Sequence, residues 1–191
     1  GYYGSQNIEA LVAWAVDNFK DFHLFTMNES SKYNLIAQGY SEEEAIKKTR
    51  KQDKHLYNKM VRALEKMGYS PIEATSKILL ISHIKKNKRY QELYSYYYDF
   101  YLNNLVFKTD CLNATKTFLQ EKSITVTDHA IEIAVQYLLE EIPVWFATPA
   151  IMNIDLSVFV YKDFPKYWKR ICCDYNLVAP NQRIYIKEDI F

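Results

Sequence analysis

Apolar residues recur along this chain in two alternating rhythms. Ile8, Leu11, Val12, Trp14, Ala15 and Phe19 fall at helical spacing and predict a helix from about Asn7 to Phe19. FHLFTM (Phe22–Met27) follows as a short, continuously apolar run, the pattern of a buried strand. A long helix is predicted from Ser41 to Gly68, then a strand over ILLIS around Leu80 and a Tyr-rich helix from Arg89 to Phe107. Helical spacing returns over Cys111–Gln120 and Asp128–Glu141. SVFVY (Ser157–Tyr161) predicts a strand, Tyr167–Tyr175 a helix and RIYIK (Arg183–Lys187) a last strand. Short apolar strands alternating with amphipathic helices specify an α/β fold with a parallel sheet flanked by helices. Such a sheet normally begins with a strand, whereas this chain enters a helix at once. The expectation is therefore a single domain over residues 1–191 whose first strand and turn precede Gly1.

Composition narrows the class. With 191 residues, 49% of them hydrophobic and 25% charged, the chain can bury a sizeable core. Only 4 Gly and 5 Pro argue against a turn-rich β fold. No apolar run reaches the roughly 20 residues of a membrane span, and no signal peptide is visible. Cys111, Cys172 and Cys173 are odd in number and lack C-x-x-C spacing, which reads as reduced thiols of a cytoplasmic protein. The four histidines have no metal-ligand spacing, and neither a metal nor a cofactor is expected.

The net charge of +1 gives no global attraction to nucleic acid, but the charge is unevenly placed. Ser41 and Glu44 form a capping-box pattern, and Gly68 supplies a stop. Between Ile46 and Lys66 eight basic residues face two acidic ones. Ile46, Thr49, Leu56, Met60, Ala63, Leu64 and Met67 form the apolar stripe, and Lys47, Lys48, Arg50, Lys51, Lys54, Lys59, Arg62 and Lys66 cover the opposite side. Such a face is either an ordinary solvated surface or a track for a phosphate backbone. IKKNKRY (Ile84–Tyr90) adds four more basic residues. The tyrosines from Tyr90 to Tyr101 recur at helical spacing, which favours packing over base stacking.

YLLEEIP (Tyr137–Pro143) places two carboxylates in a strongly apolar region. One reading is a helix end closed by Pro143, with both glutamates in water. In the other, Tyr137 and Glu141 meet at i and i+4 on the apolar face, and Glu140 points about 100° away to solvent.

YLLEEIP fits the Y-[LVI]-x-x-E-x-P signature at every fixed position, and TPAI (Thr148–Ile151) follows it. With the long basic helix and SVFVY, whose Tyr161 falls twenty residues beyond Glu141, the chain resembles the tRNA-dependent cyclodipeptide synthases over nearly its whole length. The resemblance implies a Rossmann-like domain similar to class I aminoacyl-tRNA synthetases, working without ATP. It implies transfer of one aminoacyl group from tRNA to a Ser, coupling to a second, and release of a cyclic dipeptide. Tyr137 and Glu141 would hold the first α-ammonium, with Glu141 moving protons and Tyr161 lying near the nucleophile. Phe25, Leu79, Val144 and Phe159 would line the aminoacyl pocket. Lys47, Lys48, Arg50, Lys51, Lys54, Lys59 and Arg62 would hold the tRNA acceptor arm, and the protein would act as a monomer. The family's nucleophile signature, H-x-[LVI]-[LVI]-G-[LVI]-S, is absent from the sequence, and the resemblance places that Ser just before Gly1. Lys162 also departs from the His or Pro that the family carries after its active-site Tyr. A non-catalytic RNA-binding protein on a synthetase-like domain is the alternative. A nucleotide-dependent synthetase lacks support, since no HIGH-like, KMSKS-like or P-loop motif occurs.

Overall fold

The structure is a computed structural model that describes residues 4–161, 175 and 177–186; the side chains of 159–161 and 184–186 are outside that description. In chain order the elements are α1 (Ser5–Asn18), β1 (Leu24–Thr26), α2 (Lys32–Ala37), α3 (Glu42–Lys66), α4 (Pro71–Ser76) and β2 (Ile78–Leu80). They continue with α5 (Ile81–Ile84), α6 (Lys88–Asn103), α7 (Leu105–Glu121), α8 (Asp128–Met152), β3 (Ser157–Tyr161) and β4 (Gln182–Ile186).

β1 pairs in parallel with β2, Phe25 opposite Leu79, and β3 pairs in parallel with β4, Phe159 opposite Ile184. The α/β class and parallel pairing expected from the chain are thus present, as two small sheets among many helices. Long crossovers make this pairing possible, because parallel neighbours cannot be joined by a tight turn. One core cluster joins Ile8 and Val12 of α1 to Leu24, Met60, Leu64 and Ile78. A second gathers Tyr97 and Tyr101 of α6, Phe107 and Cys111 of α7, and Leu139, Ile142, Trp145 and Phe146 of α8.

α3 forms as its sequence predicts. The Ser41 hydroxyl accepts from the Glu44 N–H (3.3 Å), and the Glu44 carboxylate accepts from the Ser41 N–H (3.1 Å). At the other end Gly68 takes φ 91°, and the N–H groups of Gly68 and Tyr69 donate to the carbonyls of Glu65 and Leu64. Ser41→Ala should remove about 1 kcal/mol of stability, measurable by urea denaturation.

Three boundaries differ from the sequence expectation. The Tyr-rich helix ends at Asn103, because the Asn104 side chain accepts from the Phe107 N–H (2.9 Å) and starts α7. Leu80 is the last residue of β2, and the chain turns into α5 at Ile81. Pro143 does not end α8; the break falls at Ala147 (φ −146°, ψ 30°), and the helix resumes through Pro149 to Met152. Residues Ile142–Ala147 are all buried, so apolar packing offsets the hydrogen bond that Pro143 takes from the Leu139 carbonyl. The helix predicted over Tyr167–Tyr175 lies outside the described residues, apart from Tyr175 itself. The tyrosine stripe packs as expected: Tyr90, Tyr97 and Tyr101 are buried, and the rings of Tyr90, Tyr94 and Tyr98 stack in sequence.

Candidate active site

The middle of α8 brings Glu140 against the segments that follow the C-terminal ends of β1 and β2, with Glu141 next to it on the helix. Those strand ends form the edge where open parallel sheets bind ligands. Glu140 is not in solvent: it is 5% exposed. The Ser30 hydroxyl donates to one carboxylate oxygen, and the Tyr33 hydroxyl (3.2 Å) and the Lys85 ammonium (2.7 Å) donate to the other. Its backbone carbonyl accepts from the Tyr90 hydroxyl (2.9 Å). Helical spacing placed Glu140 on the polar side of α8, but α2, α5 and α6 cover that side as well. A buried carboxylate is tolerated because a cation and several donors surround it. Burial, and then the Glu140 charge, push the Tyr33 phenol far above its ordinary range, so Tyr33 remains a donor.

Glu141, a further 100° around the helix, is half-buried, and burial raises its carboxyl from 4.5 to about 7. Trp145, one turn on, pulls weakly the other way. A carboxyl raised to about 7 falls in the range that a general acid–base needs. Tyr137, one turn back, is half-buried and packs in the apolar cluster of Met27, Ile81, Tyr90, Val144 and Ile151, with Phe25 and Leu79 at its margin.

A cavity of about 520 Å³ opens beside this cluster, within the range of small-molecule sites. Phe25, Leu79 and Val144 line it, together with Trp14 and Phe19 of α1 and Thr148 and Ile151 of α8. Three of the four residues that the resemblance assigns to the aminoacyl pocket are thus among its lining residues. The backbones of Phe159 and Tyr161 lie in β3, with their side chains outside the described residues. Tyr137 and Glu141 do not line the cavity itself. Ser30 is 1% exposed and bonded to Glu140, so it cannot serve as an acyl acceptor.

On α3, Lys47, Lys48, Arg50, Lys51, Lys54 and Arg62 are exposed and Lys59 is half-buried. Lys48 lies over the Tyr40 ring, 3.5 Å from its centroid. Lys66 leaves the shared face to pair with Glu9. Lys85 likewise leaves the second basic cluster to pair with Glu140. Ser30, Tyr33, Lys85 and Tyr90 were not identified from sequence. They reach Glu140 across 110, 107, 55 and 50 residues, so no local spacing signals them.

A parallel α/β domain with a carboxylate site at its strand ends defines the class as Rossmann-like. Comparison with known proteins gives the family: the cyclodipeptide synthase family model matches residues 1–180. The chain is 30% identical over 165 residues to a cyclo(L-leucyl-L-leucyl) synthase of Staphylococcus haemolyticus, covering 83% of this chain and 69% of that one. A solved cyclodipeptide synthase from Staphylococcus haemolyticus superposes with TM-score 0.86 at 28% identity, over 96% of this chain and 84% of the other. The fold is shared with a structure from Mycobacterium tuberculosis described as relating these enzymes to type I tRNA synthetases. It superposes with TM-score 0.80 at 20% identity, over 96% of this chain and 78% of the other. This chain belongs to the cyclodipeptide synthase family.

Proposed function

We propose that the protein joins two aminoacyl groups, each delivered on tRNA, into a cyclic dipeptide without ATP. The observation that carries this reading is the cyclodipeptide synthase family match over residues 1–180, within which the half-buried Glu141 lies one helical turn from Tyr137, its carboxyl raised by burial to about 7. An α-amino group has an ordinary pKa of about 8. Glu141 as carboxylate would attract the ammonium and then accept its proton, freeing the amine to attack an ester carbonyl. The first aminoacyl group would be held as an ester on a Ser hydroxyl. Its amine would attack the second aminoacyl ester and release tRNA, giving a dipeptidyl ester. The free amine of that dipeptide would then attack the Ser ester, closing the ring and releasing the Ser hydroxyl. Tyr137 and Tyr161 would orient the amine and the acyl group.

The Staphylococcus relative is named for a product of two leucines, and leucyl-tRNA is the first substrate to test. The exposed basic face of α3 would hold the acceptor arm through phosphate contacts, without reading bases. The full-length enzyme, incubated with a mixture of aminoacyl-tRNAs, is expected to release cyclic dipeptides detectable by mass spectrometry. Free amino acids and ATP alone should give none. Product from free amino acids and ATP would overturn the tRNA-dependent reading.

A further inference from the structure

We propose that Glu140 is a positioning residue that sets the basic helix α3 in register with the Glu141 site, through the segment joining β1 to α2. The proposal rests on the function given above. Ser30 of this segment and Tyr33 in the first turn of α2 donate to the Glu140 carboxylate on α8. On its other side, the Glu29 N–H donates to the Asp53 carboxylate of α3 (3.1 Å). The segment is therefore pinned between the two elements that the reaction must align. Residue 29 takes φ 62°, a left-handed conformation unusual for a Glu, so the bend is held by its surroundings.

All six residues of α2 are half-buried, and Ala37 packs on the cluster of Leu119, Ala130 and Ala134. Packing holds α2 against α8, and the directional bonds to Glu140 fix its register there. A second stitch runs beside the first: the Asn28 amide donates to the Ser82 hydroxyl (2.8 Å) and accepts from the Ser82 N–H (3.1 Å). Lys85, entering just after α5, neutralises Glu140 and ties the end of β2 to the same point. A buried ion pair is a weak source of stability, and an apolar replacement of similar volume often serves as well. What the carboxylate adds here is geometry: one acceptor group collects donors from two strand ends and sets their distance from α8. An aminoacyl group tethered to tRNA must reach Glu141 while its phosphates lie on α3. A displacement of about 1 Å in that register would cost turnover on the order of a hundredfold.

The test uses the full-length enzyme with Tyr33→Phe, and with Glu140→Met combined with Lys85→Met. For each, turnover at saturating aminoacyl-tRNA, affinity for deacylated tRNA and the thermal midpoint are measured. Both variants are expected to keep the midpoint within about 5 °C and tRNA affinity within about twofold, while turnover falls by about tenfold or more. Full turnover in the double variant would overturn the proposal. So would turnover that falls only in step with the midpoint or with tRNA affinity, because the cluster would then be structural alone. Should the double variant not fold, Tyr33→Phe decides by the same three readings. No product from the unsubstituted enzyme would refute the proposed function and this role with it. Product from the parent with full turnover in both variants would refute the positioning role alone.

Discussion

Glu141→Gln is expected to abolish cyclic dipeptide formation while making the protein more stable above neutral pH. The Glu141 carboxyl titrates near 4.5 when solvated and at about 7 in the fold. The folded state therefore holds a proton that the unfolded chain releases. Stability from this group is full below about pH 4.5 and is lost as pH rises through about 7. The shift corresponds to on the order of 3 kcal/mol at pH 8. Gln is neutral at every pH and close in shape, so the variant avoids that loss. Urea denaturation should show the two proteins nearly equal in stability at pH 4 and the variant ahead at pH 8. Product yield should fall by at least about a hundredfold, the scale of a lost general acid–base. An equal stability gap at both pH values would mean that Glu141 ionisation is not linked to folding. Undiminished product would remove Glu141 from the chemistry.

The second large effect concerns α3. Replacing Lys47, Lys51, Lys54 and Arg62 by Ala together should weaken binding of deacylated tRNA by roughly 10²–10³-fold at low salt. The slope of log affinity against log salt should become shallower by about one unit for each phosphate that is no longer neutralised. These four residues are exposed, so the melting temperature should change little. The expected loss is uniform across tRNA sequences, because phosphate contacts position a nucleic acid without reading it. Unchanged affinity and salt dependence would return the face to an ordinary solvated surface. The same substitutions should leave the Glu141 titration in place, since none of the four contributes to its shift. The two predictions therefore separate the anchoring of tRNA from the chemistry on the acyl group.

Much of α3 was legible in the sequence because its determinants are local. A capping box spans three residues, a left-handed Gly stops the last turn, and the 3.6-residue period separates the apolar stripe from the basic face. The short strands were legible as apolar runs, and their parallel pairing followed from the helices between them. The same local reasoning failed at Pro143, where burial on all sides carries the helix on to Ala147. It also failed at Asn104, where a capping side chain divides what spacing reads as one continuous helix.

The YLLEEIP segment shows the division most clearly. Helical spacing by itself determined that Tyr137 and Glu141 share a face and that Glu140 points elsewhere. It could not say what lies on the other side, because spacing describes a helix in isolation. Only the tertiary structure decided that α2, α5 and α6 close over that side. They bury Glu140 against Ser30, Tyr33 and Lys85 and leave Glu141 half-buried, with the raised carboxyl. The physical reason is range: a helical period acts over four residues, whereas the partners of Glu140 arrive from 50 to 110 residues away.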